Sequence, residues 1–187
     1  MPIRAIVTGG AGFIGSHVAD GLLARGDRVA VVDNLASGRR ERVPAAAEFH
    51  ELDIRDAAGL TRLVDGFRPD AVLHLAAQAD VRVSVQDPGL DADVNVRGTI
   101  EVLAAARRAG ARVVFSSTGG AIYGEVEAIP SPESTPCAAM APYGISKLCG
   151  EHYLELENRL YGTRHLTLRY GNVYGPRQDP HGEAGVV

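Results

Sequence analysis

Apolar and polar positions in this chain switch repeatedly between two rhythms. Short apolar runs of strand length alternate with stretches whose apolar residues recur at helical spacing, the sequence form of consecutive right-handed βαβ units. The runs Ile3 to Val7, Arg28 to Val32, Ala47 to Leu52, Ala71 to Leu75, Arg112 to Phe115 and His165 to Arg169 predict strands. The stretches Phe13 to Ala24, Ala57 to Phe67, Asp91 to Ala109 and Pro142 to Tyr161 predict helices. Punctuation sets their limits: Arg68-Pro69 closes the second helix, Gly110 ends the third, Pro142 opens the fourth and Gly162 follows it. The predicted class is therefore α/β, a doubly wound, mainly parallel sheet. In such sheets ligands bind beyond the carboxyl ends of the strands. Asp33, Asp53, the Ala76-Ala77-Gln78 segment and Ser116 to Thr118 fall there and become the candidate positions.

Composition narrows the partners. With 187 residues, 45% of them hydrophobic, one domain is the default. A net charge of −4 with scattered Lys and Arg leaves no basic footprint, so nucleic acid is not an expected partner. No run approaches the ~18 apolar residues of a membrane span. The N-terminus enters a strand directly, without a signal-peptide pattern, so no membrane partner and a cytoplasmic location are expected. Cys137 and Cys149 form no CxxC and have no metal-ligand spacing with the six histidines. They are expected to be reduced bystanders, with no metal site. The stretch Ile129 to Pro142 carries four prolines and reads as a structured active-site loop.

The most telling segment is Met1 to Ser16, where an apolar run ends in a glycine-dense turn and restarts with helical periodicity. Gly9 and Gly10 permit a tight turn, Gly12 removes a Cβ that would hold a pyrophosphate off the backbone, and Gly15 lets helix pack closely on strand. An anion would then sit at the helix N-terminus. The next strand ends in Asp33, 18 positions after Gly15, where a carboxylate accepts hydrogen bonds from an adenosine ribose. That carboxylate would repel a 2′-phosphate, which favours NAD over NADP. Arg39 and Arg40 follow in a loop rich in Ser and Gly and read as surface charges.

Tyr143 and Lys147 lie four residues apart at the start of the last helix and so project from one face. An ammonium beside a phenol stabilises the phenolate, making the tyrosine a base for a sugar or alcohol hydroxyl near neutral pH. Thr118 can complete a hydroxyl–phenol–ammonium relay, and strand-end capping is the alternative reading of Ser116, Ser117 and Thr118. Asn95 sits within a helical pattern where Asn and the nearby Gly98 are poor formers, which marks either a functional position or a tolerated irregularity. His74 ends an apolar strand with no obvious cysteine or carboxylate partner and reads as a core residue or as one that supports the site residues from behind. No role is legible for His17, His152 or His165.

Taken together, TGGAGFIGSH at Thr8 to His17, Asp33-Asn34-Leu35, Asp53-Ile54, HLAAQ at His74 to Gln78, Asn95-x-x-Gly98-Thr99, SSTGGAIYG at Ser116 to Gly124, Tyr143-x-x-x-Lys147 and LRYGNVYGPRQ at Leu168 to Gln178 resemble the extended short-chain dehydrogenases/reductases. Within that group the chain looks most like the NAD-dependent epimerases of UDP-glucose and UDP-galactose type. The resemblance implies a Rossmann fold and a tightly held NAD that oxidises a hexose at C4 and returns the hydride to the other face. Tyr143 would be the base, Lys147 would tune it and bind ribose, and Thr118, with Ser117 as the alternative, would contact the O4 hydroxyl. Gly9, Gly12, Phe13, Ile14, Gly15, Asp33 and Asn34 would hold the cofactor from one side. Asp53 and Ile54 would lie by the adenine, Leu75, Ala76, Ala77 and Gln78 along the cofactor, and Asn95, Ser116, Tyr143, Lys147 and Tyr170 would complete its site. Asn172 would join Thr118 and Tyr143 at the sugar nucleotide.

Dehydratase and decarboxylase relatives carry carboxylates after the threonine, whereas Thr118 is followed by Gly119-Gly120, which leaves reversible oxidation at C4. UDP-glucuronate or a UDP-N-acetylhexosamine are the alternative substrates, and a non-catalytic NAD-binding module is the alternative role. The resemblance further implies a homodimer through the two long helices. It places an NAD-binding domain at 1–170 and the start of a substrate-binding region at 171–187, most of that smaller C-terminal domain lying beyond this stretch.

Overall fold

Strands that are apolar at successive positions must be covered on both faces, and the central strands of this chain are. The computed structural model describes residues 1–126 and 129–179. Its sheet comprises Arg4–Thr8 (β1), Arg28–Asp33 (β2), Glu48–Glu51 (β3), Ala71–His74 (β4), Arg112–Thr118 (β5) and Leu166–Tyr170 (β6). All five pairings are parallel, in the order β3-β2-β1-β4-β5-β6. This is the doubly wound Rossmann order, with its switch point between β1 and β4.

Side chains alternate between the faces. Ile6, Ala30, Val32, Val72, Val113 and Phe115 form one core with the helices Ala57–Phe67 (α2), Gly98–Ala109 (α5) and Pro142–Tyr161 (α7). Val7, Val29 and Val31 form the other with Phe13–Ala24 (α1) and Val43. Capping residues explain several boundaries. Asp56 Oδ1 accepts the Gly59 N–H at 2.9 Å to start α2, and Arg68 ends it in the left-handed conformation. Pro142 opens α7, and Gly162 closes it at φ +66.

Three expectations change. The helix predicted from Asp91 starts earlier: Pro88–Ala92 (α4) is capped by Asp87, whose Oδ1 accepts the Leu90 N–H at 2.8 Å. It then passes through a π-helical turn, Asp93–Arg97, before becoming α5. The strand predicted to stop at Phe115 runs on to Thr118, because Ser116, Ser117 and Thr118 pair with Leu168, Arg169 and Tyr170. Short helices at Val81–Gln86 (α3) and Gly119–Ile122 (α6), and a 3-10 turn at Arg40–Arg42, join the predicted set. Residues 180–187 of the segment assigned to a second domain lie outside the described residues.

Candidate active site at the carboxyl end of the sheet

β1 delivers the chain into Gly9, whose φ is +71 and where a Cβ would stand 2.6 Å from the backbone nitrogen of Ala76 just past β4. The switch point is thus closed by backbone against backbone. At Gly15 a Cβ would run into the Gly9 carbonyl oxygen, so α1 can begin only this close to the turn because the position is glycine. Gly12 caps α1 with no side-chain hydrogen bond and no acidic residue in the first turn. A Cβ at Gly12 would meet only the Gly9 carbonyl, at 3.2 Å, the space around it being otherwise open. Unopposed N–H groups at Phe13, Ile14 and Gly15 and the helix dipole together make an anion cradle.

Asp33 fastens this turn. Its Oδ2 accepts the Ala11 N–H and its Oδ1 the Leu35 N–H, both at 2.9 Å, and the residue is 8% exposed. Asn34 Nδ2 donates to Asp53 Oδ2 at 2.9 Å, and Arg55 grips both oxygens of Asp53 at 2.9 and 2.7 Å. The Arg55 guanidinium holds the Asp53 carboxyl well below the usual carboxylate range. Ile54 is buried in the core beneath. Arg39 has a largely exposed side chain, and Arg40 lies over the Phe49 ring at 4.4 Å.

His74 is fully buried, as a core residue should be. Its Nδ1 is 2.7 Å from Thr8 Oγ1 and its Nε2 is 3.1 Å from Thr99 Oγ1. The Thr99 hydroxyl donates to the Asn95 carbonyl at 2.6 Å, so it accepts from the ring, which assigns the proton to Nε2 and leaves Nδ1 accepting from Thr8. Burial, with a smaller push from Lys147, lowers the imidazole to about 3 and keeps it neutral.

Lys147 is 4% exposed under the end of β5. Its Nζ donates to the Ser116 carbonyl at 2.9 Å and lies 4.8 Å from the Phe115 ring centre and 5.9 Å from that of Tyr143. Burial pulls the ammonium down to about 8, opposed by the negative charge of Asp91. Tyr143 is half-buried in the first turn of α7. Ser117 turns its hydroxyl under α7, donating to Glu151 Oε1 at 2.5 Å. Ser116 and Thr118 therefore occupy the opposite face of β5. A Cβ on Gly120 would stand 3.9 Å from Thr118 Oγ1 and 3.8 Å from Asn172 Oδ1, so these two polar groups flank one small gap.

The segment after β6 returns to α1. The Pro176 carbonyl bonds His17 Nε2 at 2.8 Å and Arg177 pairs with Asp20 at 2.6 Å. A Cβ on Gly175 would be 3.9 Å from the Phe13 ring. Asn172 is thereby held between β6 and the glycine turn. Along β4's end, Leu75 N–H donates to the Thr8 carbonyl at 3.1 Å and Ala76 N–H to Thr8 Oγ1 at 3.3 Å. Asn95 sits in the π-helical turn, and its amide grips the Gln78 backbone, Oδ1 accepting from N–H at 2.9 Å and Nδ2 donating to C=O at 2.8 Å.

Sequence reasoning missed Asp91, Ser146 and Glu151, polar residues inside helical patterns whose partners are remote. One overlooked signal was available, since Lys147 is the only lysine in the chain, against 18 arginines.

The family model described as NAD dependent epimerase/dehydratase matches residues 5–187. The UDP-glucose 4-epimerase of Mycolicibacterium smegmatis is 49% identical over 191 residues, covering 99% of this chain and 61% of that protein. Among solved structures, the Thermus thermophilus UDP-glucose 4-epimerase in complex with NAD is 55% identical, with a TM-score of 0.95 over 98% of this chain and 60% of that one. The Thermotoga maritima UDP-glucose 4-epimerase with UDP-glucose is 49% identical, also at a TM-score of 0.95, with 98% and 60% covered. The chain thus spans about 60% of the length of these relatives.

Proposed function

The chain belongs to the NAD-dependent epimerase/dehydratase family, and from that premise we propose that it forms the dinucleotide-binding and proton-transferring part of an enzyme that inverts C4 of a UDP-hexose of glucose/galactose type. The observation that carries this reading is the burial of the chain's single lysine under β5, one helical turn from a phenol, beside an open glycine cradle at the switch point.

The residues present fit NAD. The cradle at Gly9, Gly12, Phe13, Ile14 and Gly15 suits a pyrophosphate. Asp33 and Asn34 would face the adenosine ribose, Asp53 and Ile54 the adenine, and Leu75 to Gln78 the length of the cofactor. Asn95, Ser116, Lys147 and Tyr170 would complete its surroundings. Bound NAD supplies reversible hydride acceptance at C4. The protein's own work is proton handling: Tyr143 takes the proton from the C4 hydroxyl and later returns it, Thr118 orients that hydroxyl, and the Lys147 ammonium stabilises the phenolate. Asn172, next to Thr118 across the Gly120 gap, would meet the sugar nucleotide. We assign 1–170 to the NAD-binding domain and 171–187 to the start of the substrate region.

Tyr143→Phe removes the acidic hydroxyl and little else. In the full-length protein kcat for UDP-galactose epimerisation is expected to fall about 10²–10⁴-fold, with NAD still bound. Unchanged turnover would overturn the reading.

Two copies are proposed to pair through α5 and α7. Ile145, Tyr153, Leu156 and Leu160 form an exposed apolar stripe on α7, and Val96 in the π-helical turn and Ile100 and Ala104 on α5 are half-buried.

A further inference from the structure

Asp91 has no part in the relay above, yet it is the only carboxylate among the described residues with no exposed surface. Its Oδ1 accepts from Gln78 Nε2 at 3.1 Å and Asn95 Nδ2 at 2.9 Å, and its Oδ2 accepts from the Ser146 hydroxyl at 2.5 Å. All three donors are neutral. An asparagine could satisfy the same groups, its oxygen taking both amides and its amide facing a rotated Ser146 hydroxyl. The hydrogen bonds alone therefore do not explain why a charge is buried here, at a substantial desolvation cost.

The explanation lies one residue along α7. Ser146 precedes Lys147, and the Asp91 charge acts to keep that ammonium protonated. Among the groups that β4, β5 and α7 bring to the lysine, none replaces it. His74 on β4 is neutral, and β5 offers only the Ser116 carbonyl and the Phe115 ring. On α7 itself Tyr143 is the group to be activated, while Glu151 is committed to Arg169, at 2.6 Å, and to Ser117.

We propose that Asp91 is a positioning residue of the reaction: it ties α7 to the carboxyl end of β4 through Ser146, Gln78 and Asn95, and its charge holds Lys147 as an ammonium beneath Tyr143. What the ammonium is used for rests on the epimerase reading, whereas the coupling of Asp91 to Lys147 does not.

The protein labelled with 13Cε-lysine allows a direct test, the Lys147 resonance being assigned by its loss in Lys147→Met. In Asp91→Asn, with fold checked by circular dichroism, the lysine titration midpoint should fall by about one pH unit. The alkaline limb of kcat should move down by the same interval while KM holds, a pattern that simple loosening of the helix would not give. An unmoved midpoint in the folded variant overturns the proposal. If the variant does not fold, the unmodified protein still decides: the Asp91 carboxyl carbon should show an inflection at the Lys147 midpoint, and its absence overturns the coupling. A shifted midpoint in a protein that turns over no UDP-sugar upholds the coupling and removes the epimerase reading instead.

Discussion

Eighteen of the chain's nineteen basic side chains are guanidinium groups, and many of them are used as fixed cations. Arg4 is paired with Asp70, Arg28 with Glu48, Arg55 with Asp53, Arg108 with Asp65 and Arg169 with Glu151. A guanidinium stays protonated throughout the accessible pH range, whereas an ammonium can lose its proton once desolvated. The one lysine is buried and shows that property. Its folded-state value of about 8 lies below the ordinary 10.5, so between the two the unfolded chain holds a proton that the folded chain has released. Stability from this group is therefore fully present above about 10.5 and is lost as pH falls toward 8. Relative to Lys147→Met, the unfolding free energy of the parent should rise by about 3 kcal/mol across that window. Denaturant titrations of both proteins at successive pH values would measure it. A pH-independent difference would mean that the lysine titrates as it does in water.

At the scale of the element, the π-helical turn Asp93–Arg97 shows how a local irregularity builds a buried hydrogen-bond network. The wider turn sets Asn95 inward, where its amide substitutes for a strand partner along the Gln78 backbone. Asn95→Ala leaves the Gln78 N–H and C=O without these partners and takes one donor from Asp91. A loss of about 1–3 kcal/mol is expected, with faster hydrogen exchange at the Gln78 amide. Unchanged exchange there would contradict the role. This turn also marks the limit of what the sequence could say. The unusual Asn95 and Gly98 were visible as a conflict with helix propensity, but the residue count per turn was not. Elements closed by strong local signals were legible to the residue: α1, α2 and α7 have the expected limits. Strand ends were less so, because pairing, not composition, decides them. Ser116 to Thr118 look like loop, yet β6 holds them in the ladder. The same divide runs through the site. Tyr143 and Lys147 are neighbours along one helix and could be read from spacing, whereas Asp91 reaches Ser146 across 55 positions and Ser117 reaches Glu151 across 34.

On the scale of the whole molecule, the sheet order brings the glycine turn after β1 against the segment after β4, while β5 and α7 carry Thr118, Tyr143 and Lys147, the groups proposed for proton transfer, to the same end of the sheet. The outer surface poses a separate question. Ile145, Leu156 and Leu160 are 50%, 39% and 62% exposed, a row of apolar side chains that a solitary chain would leave to water. α5 lies alongside, joined to α7 by Arg107, which bonds Glu157 at 3.0 Å and covers the Tyr161 ring at 4.0 Å. Because these contacts lock the two helices into one unit, a second copy meeting this face about a two-fold axis would complete a four-helix bundle. A charge placed in the row would then be buried twice, once from each copy. Leu156→Glu is therefore expected to convert a sedimenting dimer to a monomer, with the dimer dissociation constant raised at least about 10²-fold. The fold of each copy should survive, since Leu156 is outside both cores. If the parent protein sediments as a monomer at micromolar concentration, or if the variant still pairs, the apolar row serves some surface other than its own copy.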